Sequence, residues 1–322
     1  MRTQESGFDM RESYVIGIDI GGTNFRIGAV DDGGKLLHHH TDRSFKISHR
    51  ENSVDLLVQY ISDYLIQEHF QFPRAVSIGF PSAISRDRQT LYSTPNLEGF
   101  DGLPIVSILR KRLGVPVFID KDVNHLLLYE IVARGIGREK SVVGIFVGSG
   151  IGNSIRLGGS FWRGKHGAAG ELGHFQLPGR KALCNCGNVG CVERYAAGRR
   201  LEEIARVNFP QTEIDELFLR YGEQPILEEF VRDLSIPVVA EINIFDPDYV
   251  ILGGGVLSMK GFPLEQFLED IRSHTRKPYP GEDVEILLSD ADPRNGILGA
   301  AYSALEGLKT GVCIKEERRM SI

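Results

Sequence analysis

Three cysteines and one histidine crowd the segment Gly170–Glu193, which reads GELGHFQLPGRKALCNCGNVGCVE. Cys184, Cys186 and Cys191 are three of only four cysteines in the chain, so their clustering carries information. Thiolates beside an imidazole form the ligand set of a tetrahedral structural zinc site, with His174 as the fourth ligand. A loop rich in Gly and Asn has little core of its own, and a metal would fix its shape and its polar neighbours. The alternative is a disulfide and a spare thiol, and compartment decides between the two. The first residues, MRTQESGFDMRES, are polar and lack the apolar core of a secretory signal. No apolar run is long enough to span a membrane. A cytoplasmic location is therefore expected, where thiols stay reduced and Zn²⁺ is the better partner. The isolated Cys313 carries no signal.

A second kind of chemistry is written in glycine. Asp19-Ile20-Gly21-Gly22-Thr23-Asn24 follows an apolar strand. Glycines let backbone N–H groups approach phosphate oxygens, and Thr23 and Asn24 add side-chain donors. Asp19, at the strand end, is placed to hold a hydrated Mg²⁺ arriving with a nucleotide. An ordinary tight hairpin would look similar. The turn Gly148-Ser149-Gly150-Ile151-Gly152 offers the other half of a phosphate clamp. With Gly17–Gly22 laid on Gly144–Ser149, Phe146 replaces Asp19, so only one copy keeps the acid. Neither turn has the G-K-[ST] of a Walker loop or the G-x-G-x-x-G spacing of a dinucleotide site.

Lys121-Asp122-Val123-Asn124 lies just past a buried strand, where a carboxylate can act as general base for a hydroxyl nucleophile. It can equally cap the helix that follows. Gly253-Gly254-Gly255 also ends a strand, where open α/β sheets bind ligands. With Gly299-Ala300-Ala301 on the final helix it offers a small-residue surface for a flat adenosine; close helix packing needs the same residues. His38-His39-His40 reads as a solvated strand end rather than a metal site, and Trp162 as loop packing.

These residues need elements to hold them. Strands are expected at Tyr14–Asp19, FRIGAV, KLLHHHTD, Ala75–Phe80 and residues 115–120. Helices are expected at about 51–69, with Val54, Leu57, Ile61 and Leu65 on one face, and at 104–113. Pro81 opens a long loop toward Ser93-Thr94-Pro95-Asn96-Leu97. The strand–turn–strand theme returns at Ser141–Gly159. A helical region at about 198–245, a strand at 249–256 and a final helix at about 295–308 follow. The repeat predicts a duplicated α/β fold, two related domains facing each other across a cleft. The expected domains are a small one, 1–122, completed by the C-terminal helix at about 295–322, and a larger one, 123–294, carrying the zinc loop. The tail GVCIKEERRMSI is expected to fray.

Composition agrees with such a protein. Its 322 residues suffice for two cores, and 42% hydrophobic with 25% charged residues excludes a disordered chain. A net charge of −6 argues against a nucleic-acid surface.

In this order, the pieces resemble the ROK family of sugar kinases and repressors, from about residue 14 to 308. The resemblance rests on Asp19–Thr23 (DxGGT), Ser149–Gly152 (SGIG), Ala169–His174 (AGELGH), Cys184–Glu193 (C-x-C-G-x-x-G-C-x-E) and the strand ending in three glycines. It implies the actin-like, hexokinase-type (ribonuclease H-like) fold, closing over ATP, Mg²⁺ and sugar. ATP would then lie against Asp19, Gly21, Gly22, Thr23, Asn24, Gly148, Ser149, Gly150, Gly254, Gly255 and Gly299. It implies zinc at His174, Cys184, Cys186 and Cys191, and Asp122 as the base that deprotonates a sugar hydroxyl, usually on C6. Asn96, Glu171, His174 and Glu193 match positions that hold the other hydroxyls, with His174 serving both metal and sugar. A homodimer is also implied.

Two departures bear on specificity. Most members carry Asn before the catalytic Asp, and here Lys121 stands there; a longer, donor-only cation changes which epimer fits. That residue, with Phe80-Pro81, Ser93–Leu97 and Phe245-Asp246-Pro247-Asp248, is most similar to the D-allose kinases of the family. Glucose, fructose, mannose and N-acetylmannosamine are the alternative substrates. Asn153-Ser154, where more glycine is usual, is expected to narrow the second phosphate turn. The rival reading is a sugar-sensing repressor; the few residues ahead of Tyr14 are too short for its DNA-binding module.

Overall fold

The computed structural model describes residues 13–95 and 97–311. Cys313, most of the terminal tail and Asn96 lie outside the described residues. The chain divides into two compact units. The first runs to Ala133, takes in Lys165–Ala168 and resumes at Pro293; the second comprises Arg134–Gly164 and Ala169–Asp292.

In the first unit β1 (Tyr14–Ile20), β2 (Asn24–Asp31) and β3 (Leu36–Arg43) form an antiparallel meander, with β4 (Val76–Phe80) and β7 (Val117–Lys121) added in parallel. The order is β3-β2-β1-β4-β7. One sheet face meets α1 (Ser53–Gln67) and α2 (Ile105–Leu113) over a core that includes Ile18, Ile20, Phe25, Leu57, Ile61 and Leu109. The spacing of Leu57, Ile61 and Tyr64 places them on the helix stripe that buries. α3 (Asp122–Ala133) and α9 (Asn295–Thr310) belong to this unit as well. α9 packs through Ile297, Ala301 and Ala304 on Val15 and Val30. A two-strand hairpin, β5 (Ala83–Ile84) and β6 (Leu91–Ser93), occupies the expected long loop.

In the second unit β8 (Val142–Val147), β9 (Ile151–Leu157) and β10 (Ser160–Phe161) form the meander, and β11 (Tyr249–Gly253) and β12 (Glu285–Leu288) the parallel extension. The order β10-β9-β8-β11-β12 repeats that of the first sheet strand for strand. α4 (Glu193–Ala196), α5 (Gly198–Asn208), α6 (Leu217–Tyr221), α7 (Pro225–Phe245) and α8 (Leu264–His274) supply its helices. Pro225 opens α7, where a missing N–H does no harm, and Asp246 ends it in the left-handed region before Pro247. Strand β11 stops at Gly253 rather than 256, because Gly254 turns the chain at φ +97°. The first unit ends after Ala133 rather than at 122, since α3 packs along α9.

Candidate active site and metal centre

The first glycine turn is built by tying its carbonyls inward. The Gly21 N–H donates to Asn24 O at 2.8 Å, and the Ser44 N–H to Thr23 O at 3.0 Å. The buried Ser44 hydroxyl donates to Gly21 O at 2.6 Å. The amides of Gly22 and Thr23, both exposed or nearly so, keep no partner among the described residues and remain available to an anion. The second turn repeats this logic with different residues. The N–H groups of Gly198 and Arg199, opening α5, donate to Gly148 O (2.8 Å) and Ser149 O (3.2 Å). The Ile151 N–H donates to the Glu193 carboxylate at 3.2 Å, which leaves the Ser149 and Gly150 amides for a ligand. A Cβ on Gly150 would displace the Glu193 carboxylate that accepts the Ile151 N–H. Beneath this turn a Cβ on Gly254 would strike the Val147 backbone, whereas Gly255 faces open space.

Asp19 ends β1, almost wholly buried. Its direct cross-strand partner is Arg26, whose Nη1 lies 2.9 Å from Asp19 Oδ2. Gly296, in the first turn of α9, packs so closely on Asp19 that a Cβ would overlap the carboxyl. Burial raises the Asp19 carboxyl above its ordinary range, and the Arg26 charge opposes that rise. A buried carboxylate beside a turn with free amides suits a Mg²⁺ that keeps most of its ligands as water and phosphate.

Asp122 stands where β7 gives way to α3. Its Oδ1 accepts the N–H of the next residue, Val123, at 2.8 Å; this is not the bond to the second or third helical N–H that an N-cap makes. Burial first, and the charge of Asp19 second, push its carboxyl up to about 7, against the pull of the Val123 amide and Lys121. A base poised near neutrality suits proton abstraction from a hydroxyl. Below it, buried Asp120 accepts the Lys121 N–H at 2.9 Å and the Asn124 amide at 2.6 Å, fixing the strand-to-helix corner.

In the second unit the ligand atoms of His174, Cys184, Cys186 and Cys191 all lie within 4.8 Å of one another. Cys184 Sγ is 3.6 Å from His174 Nδ1, and Cys186 Sγ is 3.6 Å from Cys191 Sγ, too far for a disulfide. A tetrahedron with Zn–S near 2.3 Å and Zn–N near 2.0 Å has edges of about 3.5–3.8 Å, so the residues fit a zinc ion. The loop is pre-shaped: Cys184 N–H donates to Asn188 O (2.8 Å), Gly187 N–H to Cys184 O (2.9 Å) and Gly190 N–H to Ala182 O (3.0 Å). Gly187 and Gly190 take positive φ that other residues resist. His174 turns Nδ1 to the cysteines, while its Nε2 lies 3.9 Å from exposed Glu171. One imidazole thus faces both the metal set and a polar surface.

Three expectations change. Gly299 is buried where α9 crosses α3, and a Cβ would collide with His125 O; it serves helix packing, and no adenosine surface is open there. Gly299→Ala should lower stability by about 1–3 kcal/mol, read as a fall in melting temperature. Asn153 lies within β9, not in the second turn: its Nδ2 donates to Gly144 O (3.1 Å) and Glu241 Oε2 (2.8 Å), so it does not narrow the turn. Trp162 is 57% exposed rather than packed in its loop. His38 and His40 both meet Glu68, at 2.9 and 2.7 Å, and form no metal cluster among the described residues.

The ROK family model matches residues 15–306. The chain belongs to the ROK family. It is 28% identical over 313 residues to the glucokinase of Thermotoga maritima, covering 91% of this chain and 97% of that one. Among solved structures it is similar to the ROK hexokinase of Thermus thermophilus, with a TM-score of 0.74 and 30% identity over 92% of this chain and 99% of that one. A ROK family glucokinase from Streptomyces griseus, in complex with glucose and AMPPNP, gives a TM-score of 0.74 at 26% identity over 90% and 99%. The two α/β units with their mixed sheets are the hexokinase-like fold of the family. No helix among the described residues is long and apolar enough to cross a membrane.

The motifs in the sequence do not include two residues that the structure sets against the first glycine turn and Asp19, Arg26 and Ser44. Arg26 is the lone charge inside the buried strand FRIGAV, which is itself a signal. Ser44 lies outside any motif and is found only from its bond to the turn.

Proposed function

We propose that the protein is an ATP-dependent hexose kinase that phosphorylates the C6 hydroxyl. The observation that carries this reading is Asp122, held at the corner of β7 and α3 with its carboxyl pushed up to about 7, in the same unit as the Asp19–Asn24 phosphate turn. Asp122 takes the hydroxyl proton as the sugar oxygen bonds to the γ-phosphorus and the bridging bond to ADP breaks. Phosphoryl transfer asks mainly for positioning and charge neutralisation. The free amides of Gly22, Thr23, Ser149 and Gly150 supply donors to phosphate, and Asp19 would hold Mg²⁺. Asn96, Lys121, Glu171, His174 and Glu193 are assigned to the sugar's other hydroxyls. His174, Cys184, Cys186 and Cys191 would hold a zinc ion, which supplies structural rigidity and no reaction step. Such an enzyme works in the cytoplasm, where ATP is available, and as a homodimer.

D-allose is the substrate assigned first, on Lys121 in place of the family's usual Asn. A cationic donor next to the base favours an epimer whose hydroxyl presents a lone pair there. ADP release is to be measured with Mg-ATP and D-allose, glucose, fructose, mannose, N-acetylmannosamine and N-acetylglucosamine. The expected result is a kcat/KM for D-allose at least about 10-fold above the others. Preference for another sugar removes the allose assignment and keeps the kinase; silence on all of them favours a sugar-sensing regulator.

A further inference from the structure

Arg26 touches the acid that precedes the first glycine turn. It sits in β2 directly opposite Asp19, on the sheet face that also carries Gly17 and Gly28 under α9. Its Nη1 meets Asp19 Oδ2 at 2.9 Å, with both side chains mostly buried. Its Nε is buried and has no hydrogen-bond partner. A guanidinium offers five donors in a rigid fork, and this one uses a single nitrogen on a single carboxylate oxygen. The fork is therefore underused where it stands.

The pair also competes with the assigned role of Asp19. A divalent ion on Asp19 would draw off the anion that now neutralises Arg26, and a mostly buried cation left without a counter-charge is costly. The nearest new anion would be a nucleotide phosphate seated on the Gly22 and Thr23 amides. Guanidinium binds phosphate bidentately and brings a full positive charge, which the turn amides lack.

We propose that Arg26 is a catalytic residue that exchanges partners. It pairs with Asp19 while the site lacks nucleotide, and moves its guanidinium onto the terminal phosphoryl group when Mg-ATP binds. There it neutralises charge as the phosphoryl group passes to the sugar oxygen. Arg26 itself makes and breaks no covalent bond, and the hydroxyl proton still goes to Asp122. This rests on the kinase reading above.

The test compares binding of Mg-AMPPNP and Mg-ADP by calorimetry in the wild type and in Arg26→Ala, because only the first nucleotide carries the terminal group. The expected result is an affinity for Mg-AMPPNP lowered about 10-fold, with that for Mg-ADP within about 2-fold. In turnover, kcat should fall about 10²–10³-fold with sugar KM little changed. Guanidinium chloride at millimolar concentration should partly restore Arg26→Ala and leave the wild type unaffected. Equal loss of both nucleotides, or unchanged AMPPNP binding, overturns the proposal, because Arg26 is then only a structural partner of Asp19. If Arg26→Ala does not fold, Arg26→Lys decides: it keeps the charge and loses the fork, so AMPPNP affinity should drop while ADP affinity holds. A wild type inactive on every sugar would refute the kinase reading, while the nucleotide comparison would still judge Arg26.

Discussion

Asp122→Asn should lower kcat about 10²–10⁴-fold while leaving the sugar's affinity nearly unchanged. The substitution keeps the size and one acceptor oxygen, so the Val123 N–H bond at the start of α3 survives. Only the capacity to take a proton is removed. Single-turnover kinetics with a fixed sugar separates the two outcomes: a variant within about 10-fold of the wild type would refute the assignment of Asp122 as base. The pH dependence supplies a second reading of the same group. Because burial and Asp19 push the carboxyl up to about 7, kcat/KM should climb as pH rises through about 7 and level off above it.

The stability side of Asp122 has a definite sign. Its folded pKa lies above the ordinary carboxylate value, so the fold prefers the protonated form. That contribution is fully present below the ordinary value near 3.8 and is lost as pH rises through about 7. The wild type at pH 8 therefore carries a buried charge that Asn does not. Asp122→Asn should melt above the wild type at pH 8, with the gap closing toward pH 4. An enzyme that is stabilised by losing its base is the expected signature of a group held for chemistry against the preference of the fold.

The central strands were legible in the sequence because they are buried on both faces. YVIGID and VVGIFV are unbroken apolar runs, and each ends at a glycine turn that marks where pairing stops. The duplication was legible for the same reason, since strand, Gly turn and strand recur in order. β5 and β12 were not legible: two and four residues give no period, and β12 lies at an edge with mixed exposure. α8, with Phe267 and Ile271 one turn apart, was not among the expected helices. At the site, the cysteine spacing pointed to ligands that the fold does gather, and the Asp19-Ile20-Gly21-Gly22 run to a turn with free amides. What sequence alone could not separate was a glycine needed for ligand approach from one needed for helix contact. Gly299 and Gly254 look alike in the sequence; one is sealed by His125 and the other turns the chain against Val147 beneath the second glycine turn.

Losing the metal should damage sugar and nucleotide binding together, because Glu193, assigned to the sugar in the proposed kinase, also holds the second glycine turn. The cysteine loop runs from His174 to Cys191, and two residues later Glu193 accepts the Ile151 N–H of the second glycine turn. Arg180 adds a brace from inside the loop: it pairs with Asp233 and with Glu229 (2.9 Å) on α7, and its guanidinium lies 4.9 Å from the Tyr195 ring centroid. The Tyr195 hydroxyl in turn accepts the Ala182 N–H at 2.6 Å. That brace fixes one side of the loop; the ligand side is held by backbone bridges, with Cys184 and Cys191 buried and Cys186 exposed. The purified protein should hold about one zinc per chain by elemental analysis. Cys186→Ala should lose it, raise the sugar KM about 10–100-fold, and raise the ATP KM by a smaller factor through Glu193 and Ile151. The exposed position of Cys186 keeps the core out of the comparison, so a lost metal rather than a cavity explains the change. If the metal-free variant keeps wild-type KM values for both substrates, the four ligands do not organise this site.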